Sequence, residues 1–121
     1  MKRVLVVEDS PTEQRLIVAL LKQAGCAVES ANTAEAALEW LQANGRPDLI
    51  VLDIIMPGQS GLDFCRQLRE TSQFEDVPVV FCSSKNQDFD RFWALRQGGN
   101  AYISKPFLPN ELVETVQQHL A

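Results

Sequence analysis

Histidine is almost missing from this 121-residue chain, with His119 the only one. Zinc sites and Ser-His or Cys-His catalysis therefore have almost no material to work with. Cysteine is scarce as well. Cys26, Cys65 and Cys82 are odd in number and widely spaced, matching neither a disulfide framework nor a CxxC metal pattern and fitting a reducing cytoplasm. Long hydrophobic runs are lacking: Val4 to Val7, Leu16 to Leu21 and Val77 to Cys82 are too short to span a bilayer, so membrane insertion is not expected. Eleven Lys and Arg against sixteen Asp and Glu give a net charge of −5, and the basic residues stand singly. That disfavours nucleic acid, whose phosphate backbone calls for Lys and Arg gathered on one face. No low-complexity or repeated stretch interrupts a chain that is 45% apolar and 22% charged, so one domain over residues 1–121 is expected, folded throughout.

What is present is a strict alternation of strand and helix patterns. Lys2 to Val7 reads as a buried strand stopped at Glu8-Asp9-Ser10-Pro11. Pro11 suits a first helical turn, with Ser10 as N-cap and Glu13 at the reciprocal capping position, and Gly25 follows the helix as a C′ residue. Ala27 to Ser30 is a short strand. Thr33 caps a helix bearing Ala34, Ala37, Leu38 and Leu41, closed at Asn44-Gly45. Leu49 to Leu52 is the most apolar strand and runs into Asp53. A helix from about Leu62 to Arg69, a strand from Val77 to Cys82, a helix near Asp90 to Gln97, a strand from Ala101 to Ser104 and a helix from Pro109 to Leu120 complete the chain. Five strands and five helices with short connections predict an α/β fold, a doubly wound parallel sheet covered on both faces. Two-sided burial explains why its middle strands are apolar throughout.

In such sheets ligands sit beyond the carboxyl ends of the strands. Glu8 and Asp9 end the first strand, Asp53 the third, Ser83 and Ser84 the fourth, and Lys105 the fifth. Three carboxylates at one rim repel one another, so a cation is implied, and hard oxygen ligands few in number favour Mg2+. Lys105 and the Ser83 hydroxyl could hold phosphoryl oxygens, with Asp53 as the nucleophile. Each element has a plainer reading taken singly: acidic residues after strands form turns, Lys105-Pro106 can simply end a strand, and Ser83 can bond local backbone. The chemically complementary set at four strand ends is what favours a phosphoryl-accepting site.

At these residues the sequence resembles the bacterial response-regulator receiver family over essentially its whole length. The motifs are Val-Glu-Asp-Ser at 7 to 10, Asp-Ile-Ile-Met-Pro-Gly at 53 to 58 with the later Gly61, Ser83, and Tyr-Ile-Ser-Lys-Pro-Phe at 102 to 107. The resemblance implies a flavodoxin-like, CheY-like sheet of order 2-1-3-4-5 and a cis Lys105-Pro106 bond. It also implies a Mg2+-dependent signalling domain rather than an enzyme, in which Asp53 takes phosphate from a histidine kinase. Asp9, Asp53 and the backbone carbonyl of Ile55 would bind the ion directly and Glu8 through water, Lys105 and Ser83 would hold the phosphate, and Tyr102 would turn inward as the switch. Glu8, Ser83 and Ser84 depart from the commoner Asp, Thr and Ala or Gly; Ser84 and Ile55 bear on the lifetime of the phosphoryl group. A finer resemblance, through Asp9-Ser-Pro-Thr-Glu13 and Asp90-Arg-Phe-Trp-Ala-Leu-Arg-Gln-Gly98, is to PilH-like receivers of twitching motility and phototaxis. That would imply a CheA-type kinase and pilus machinery as the downstream target.

A haloacid-dehalogenase-type enzyme would want a second Asp two residues after the nucleophile, where Ile55 stands. A flavodoxin-like cofactor site would want a Ser/Thr/Gly loop where Glu8-Asp9 would repel phosphate. A module that keeps the fold but works unphosphorylated remains as the alternative. Because the sequence stops at Ala121, output is expected to be a binding event. Trp93 and Tyr102 are expected at the switched surface, and Phe92 and Leu95 in the core.

Overall fold

The computed structural model describes residues 1–121. Five strands, β1 (Arg3–Val7), β2 (Ala27–Ala31), β3 (Leu49–Leu52), β4 (Val79–Ser83) and β5 (Ala101–Ser104), alternate with α1 (Pro11–Gln23), α2 (Ala34–Asn44), α3 (Gly61–Arg69), α4 (Asp88–Arg96) and α5 (Pro109–Leu120). All pairings are parallel, in the order β2-β1-β3-β4-β5. The predicted architecture and strand order are both observed, and the Lys105–Pro106 bond is cis.

Alternation along each strand divides the interior in two. Leu5, Val7, Ile50, Leu52, Val79 and Phe81 face α2, α3 and α4, where they meet Leu41, Phe64, Leu68 and Ala94. Val4, Val6, Leu49, Val51, Val80 and Cys82 face α1 and α5, where they meet Ile17, Leu21, Leu112 and Val116. Each fully buried aliphatic side chain contributes about 1.5–3 kcal/mol relative to exposure, so the two cores dominate the stabilisation. The three cysteines belong to these cores, free and buried. Burial pushes the Cys65 thiol up to about 11 and that of Cys82 to about 12, which leaves both inert at neutral pH. No helix is long and apolar enough to cross a membrane.

Local signals act largely as read. The Ser10 hydroxyl accepts from the Glu13 amide at 3.4 Å and the Thr33 hydroxyl from Ala36 at 3.0 Å. Gly45, at φ 81°, ends α2 in the left-handed region that a Cβ would strain. The reciprocal half of the first capping box is different. It is Glu8, not Glu13, whose carboxylate accepts the Ser10 amide, at 3.1 Å, and this leaves Glu13 available elsewhere.

Helix α4 corrects another expectation. It begins at Asp88, with Asp90 turned back to accept the Gln87 amide at 3.2 Å, and only Asp90 and Ala94 are buried. Phe92 and Leu95 are 47% and 43% exposed, so they are surface and not core. The reason is helical spacing: Asp90 and Ala94, four apart, take the packed face, and Phe92 and Leu95 stand off it. The chain after the helix is close to the sheet, since a Cβ on Gly99 would lie 2.6 Å from the Phe81 ring and 3.0 Å from the Ala94 carbonyl.

Candidate functional site

The carboxyl ends of the strands carry the polar residues that the sheet buries, and backbone bonds fix them there. The Glu8 amide donates to Ala31, Asp53 to Val7 and Lys105 to Ser83, at 3.0, 3.1 and 2.8 Å. These ladder bonds carry the register past the strands into the rim. Glu8, Asp53 and Ser83 are consequently buried at 2%, 7% and 0% exposure.

One ammonium organises the rim. Lys105 Nζ donates to Glu8 Oε1, to Glu13 Oε2 at 2.9 Å and to Asp53 Oδ2 at 3.1 Å. The oxygens of Glu8, Glu13 and Asp53 approach one another within 4.8 Å. Three carboxylates face one cation, so the group carries excess negative charge when all are ionised. Burial pushes the Glu8 carboxyl up from 4.5 to about 7, opposed only in part by the bonds from Lys105 and Ser10. Burial lowers the Lys105 ammonium, but its bonds to Glu8 and Glu13 and the charge of Asp53 outweigh that and raise it above its ordinary value. The opposite balance within one pair has a simple cause. Lys105 faces three anions, whereas Glu8 shares its single cation with two competitors while lying deepest.

Of the residues expected at the site, Glu8, Asp53 and Lys105 are brought together. Asp9 is exposed and outside the cluster, because neighbours leaving a strand do not project to the same side. Ile55 donates its amide to Asp53 Oδ1 at 3.3 Å while its side chain is 52% exposed at the mouth. Ser83 accepts the Lys85 amide at 3.3 Å and Ser84 is exposed. Tyr102 is buried at 9% exposure, its ring stacked on Phe81 at 6.3 Å and its hydroxyl donating to the Lys85 carbonyl, so it is a buried neighbour of the site and not part of an exposed surface. Trp93 is 53% exposed with its ring 5.8 Å from that of Phe92, and Phe89 and Leu95 are exposed on the same helix. Glu13 was not anticipated here. Its place three residues after an N-cap reads as capping, and only the competing Glu8–Ser10 bond shows otherwise.

Gly61 sets the depth of the pocket from below. Its amide donates to the Ile54 carbonyl at 2.9 Å, and a Cβ there would lie 2.0 Å from the Asp53 carbonyl oxygen. The obstacle is backbone, so α3 would have to move. Gly61→Ala is expected to destabilise the fold by about 2–3 kcal/mol, a typical overpacking cost, as measured by urea unfolding. A midpoint equal to that of the parent would show that the α3 start yields freely.

A doubly wound sheet with acidic β1 and β3 ends and a lysine from β5 defines a receiver-type signalling fold. The response regulator receiver domain model matches residues 4–117, and the chain belongs to that family. Among individual proteins, it is 35% identical over 121 residues to protein PilH of Pseudomonas aeruginosa, covering 100% of this chain and 99% of that one. It is 36% identical to the phosphate regulon transcriptional regulatory protein PhoB of Escherichia coli, covering 96% of this chain but only 50% of PhoB. The chemotaxis response regulator CheY4 of Vibrio cholerae superposes with a TM-score of 0.91 at 29% identity, covering 98% of each chain. The BeF3-activated receiver domain of Klebsiella pneumoniae RstA does so at 0.89 and 32%, also covering 98% of each.

Proposed function

We propose that residues 1–121 form a single receiver domain acting as the response regulator of a two-component phosphorelay, and that Asp53 accepts a phosphoryl group from a histidine kinase. The observation that carries this reading is Asp53 itself: a carboxylate buried at a strand end, within reach of the Lys105 ammonium, in a cluster with more negative charge than its lysine can neutralise. A carboxylate oxygen of Asp53 attacks phosphorus as the bond to the donor's imidazole nitrogen breaks. Lys105 and the Ser83 hydroxyl hold the equatorial oxygens, which stabilises charge in a largely water-excluded site.

The cluster fits Mg2+, since its donors are hard oxygens and its excess charge calls for a cation. Glu8 and Asp53 would hold the ion together with Asp9 and the Ile55 carbonyl, and the ion would supply charge neutralisation. The resemblance to PilH supports a role in motility, with a CheA-type kinase upstream and pilus machinery as the downstream target, in the cytoplasm. Trp93 and its exposed apolar neighbours on α4 are the candidate output surface, since four large apolar side chains on one short helix exceed what its buried stripe needs. Tyr102 couples that surface to the site, lying against Phe81 with the Arg91 guanidinium 5.5 Å from its ring.

The test is incubation with acetyl phosphate and magnesium, followed by intact-mass measurement. One added phosphoryl group is expected, and none when magnesium is left out of the incubation. A parallel readout is Trp93 fluorescence in a Trp40→Phe background, expected to shift with phosphorylation. No mass gain would favour the module that works unphosphorylated, and a mass gain with unchanged fluorescence would put output on another face.

A further inference from the structure

We propose that Glu13 is a built-in competitor for the phosphoryl group, occupying the donor of Lys105 that the phosphoryl oxygens must take. This inference rests on Asp53 being the phosphoryl acceptor.

An ammonium has three N–H donors, and Lys105 uses all three, on Glu8, Glu13 and Asp53. A phosphoryl group on Asp53 inherits the donor that the Asp53 carboxylate held, because the negative charge then lies on its oxygens, and a second phosphoryl oxygen finds a donor only when Glu8 or Glu13 withdraws. The three are not equal candidates. Glu8 is 2% exposed and its other carboxylate oxygen is tied to the Ser10 amide, so it has no room to turn into solvent. Asp53 bears the incoming group. Glu13 is 46% exposed, sits in the first turn of α1 and makes no other side-chain bond. Turning it into water costs little, because a half-exposed carboxylate is readily solvated.

The exchange makes and breaks no covalent bond. Glu13 leaves Lys105, a phosphoryl oxygen takes its place, and the displaced carboxylate adds a free charge to the exposed start of α1. Glu13 is thus a positioning residue: it sets where Lys105 waits and weakens the hold on any anion that replaces it.

Beryllofluoride titrated calorimetrically at saturating magnesium tests this without any turnover. Glu13→Gln is expected to bind the mimic about three- to tenfold more tightly than the parent, which corresponds to about 0.7–1.4 kcal/mol. Glu13→Asp separates competition from net charge, because it keeps the anion but withdraws it by one methylene from Lys105. It is expected to follow Glu13→Gln. Tighter binding in Gln alone would assign the effect to overall charge and overturn the inference, as would equal or weaker binding in both variants. Failure of the parent itself to bind the mimic would instead overturn the reading of Asp53, and this inference with it.

Discussion

Asp53→Asn is expected to abolish phosphoryl uptake from acetyl phosphate and to leave the fold in place. The amide keeps the size and the strand-end position of the carboxylate, and the Asp53 amide bond to Val7 is backbone and is unaffected. What it removes is the anionic oxygen that, on the proposed function, attacks phosphorus. No neighbour can substitute: Glu8 is held by both Lys105 and Ser10, and Glu13 is half in solvent. Thermal stability is expected to change little, because losing a charged bond to Lys105 is offset by relief of repulsion among three clustered carboxylates. Intact-mass analysis checks uptake and circular dichroism checks the fold. A normally phosphorylated variant would mean that another residue is the acceptor.

Lys105→Met is expected to have the largest effect on stability. It leaves two buried carboxylates and one half-exposed carboxylate without their only cation. Removing one partner of a buried ion pair costs about 3–5 kcal/mol. The exposed Glu13 contributes little of this, so the loss is expected to come from Glu8 and Asp53.

The pH dependence has a definite sign. Glu8 is an acid whose folded value, about 7, lies above its ordinary 4.5. Between those values the folded state binds more protons than the unfolded one, so Glu8 favours folding most at the acid end, and that contribution fades as pH rises to 7. Without Lys105 the uptake of a proton by Glu8 is favoured further. The deficit of the variant should therefore be widest above pH 7 and narrow on acidification toward 4.5. Urea unfolding at several pH values measures this, and a deficit that grows on acidification would contradict the charge account.

Much of the molecule is legible in the residue order because it depends on near neighbours. Alternating apolar runs bounded by Ser10, Thr33, Gly45 and Pro47 mark elements whose periodicity and caps are local. The boundaries that shift do so for tertiary reasons. β4 starts at Val79 rather than Val77 because pairing with β3 begins there, Ile50 lying opposite Val79.

The sequence by itself determined which residues end the strands, and with them the proposed acceptor Asp53, its lysine and the class of chemistry these residue types offer. It did so because strand-end chemistry follows from order along the chain. Only the tertiary structure decided which side chains converge. Glu13 joins Glu8 and Asp53 around Lys105 because Glu8 takes the Ser10 amide, and Tyr102 lies inward on Phe81. Phe92 and Leu95 lie outward because the sheet takes the face of α4 that carries Asp90 and Ala94. Each of these outcomes is a competition among side chains distant in sequence for one partner or one volume, and packing settles such competitions where periodicity does not reach.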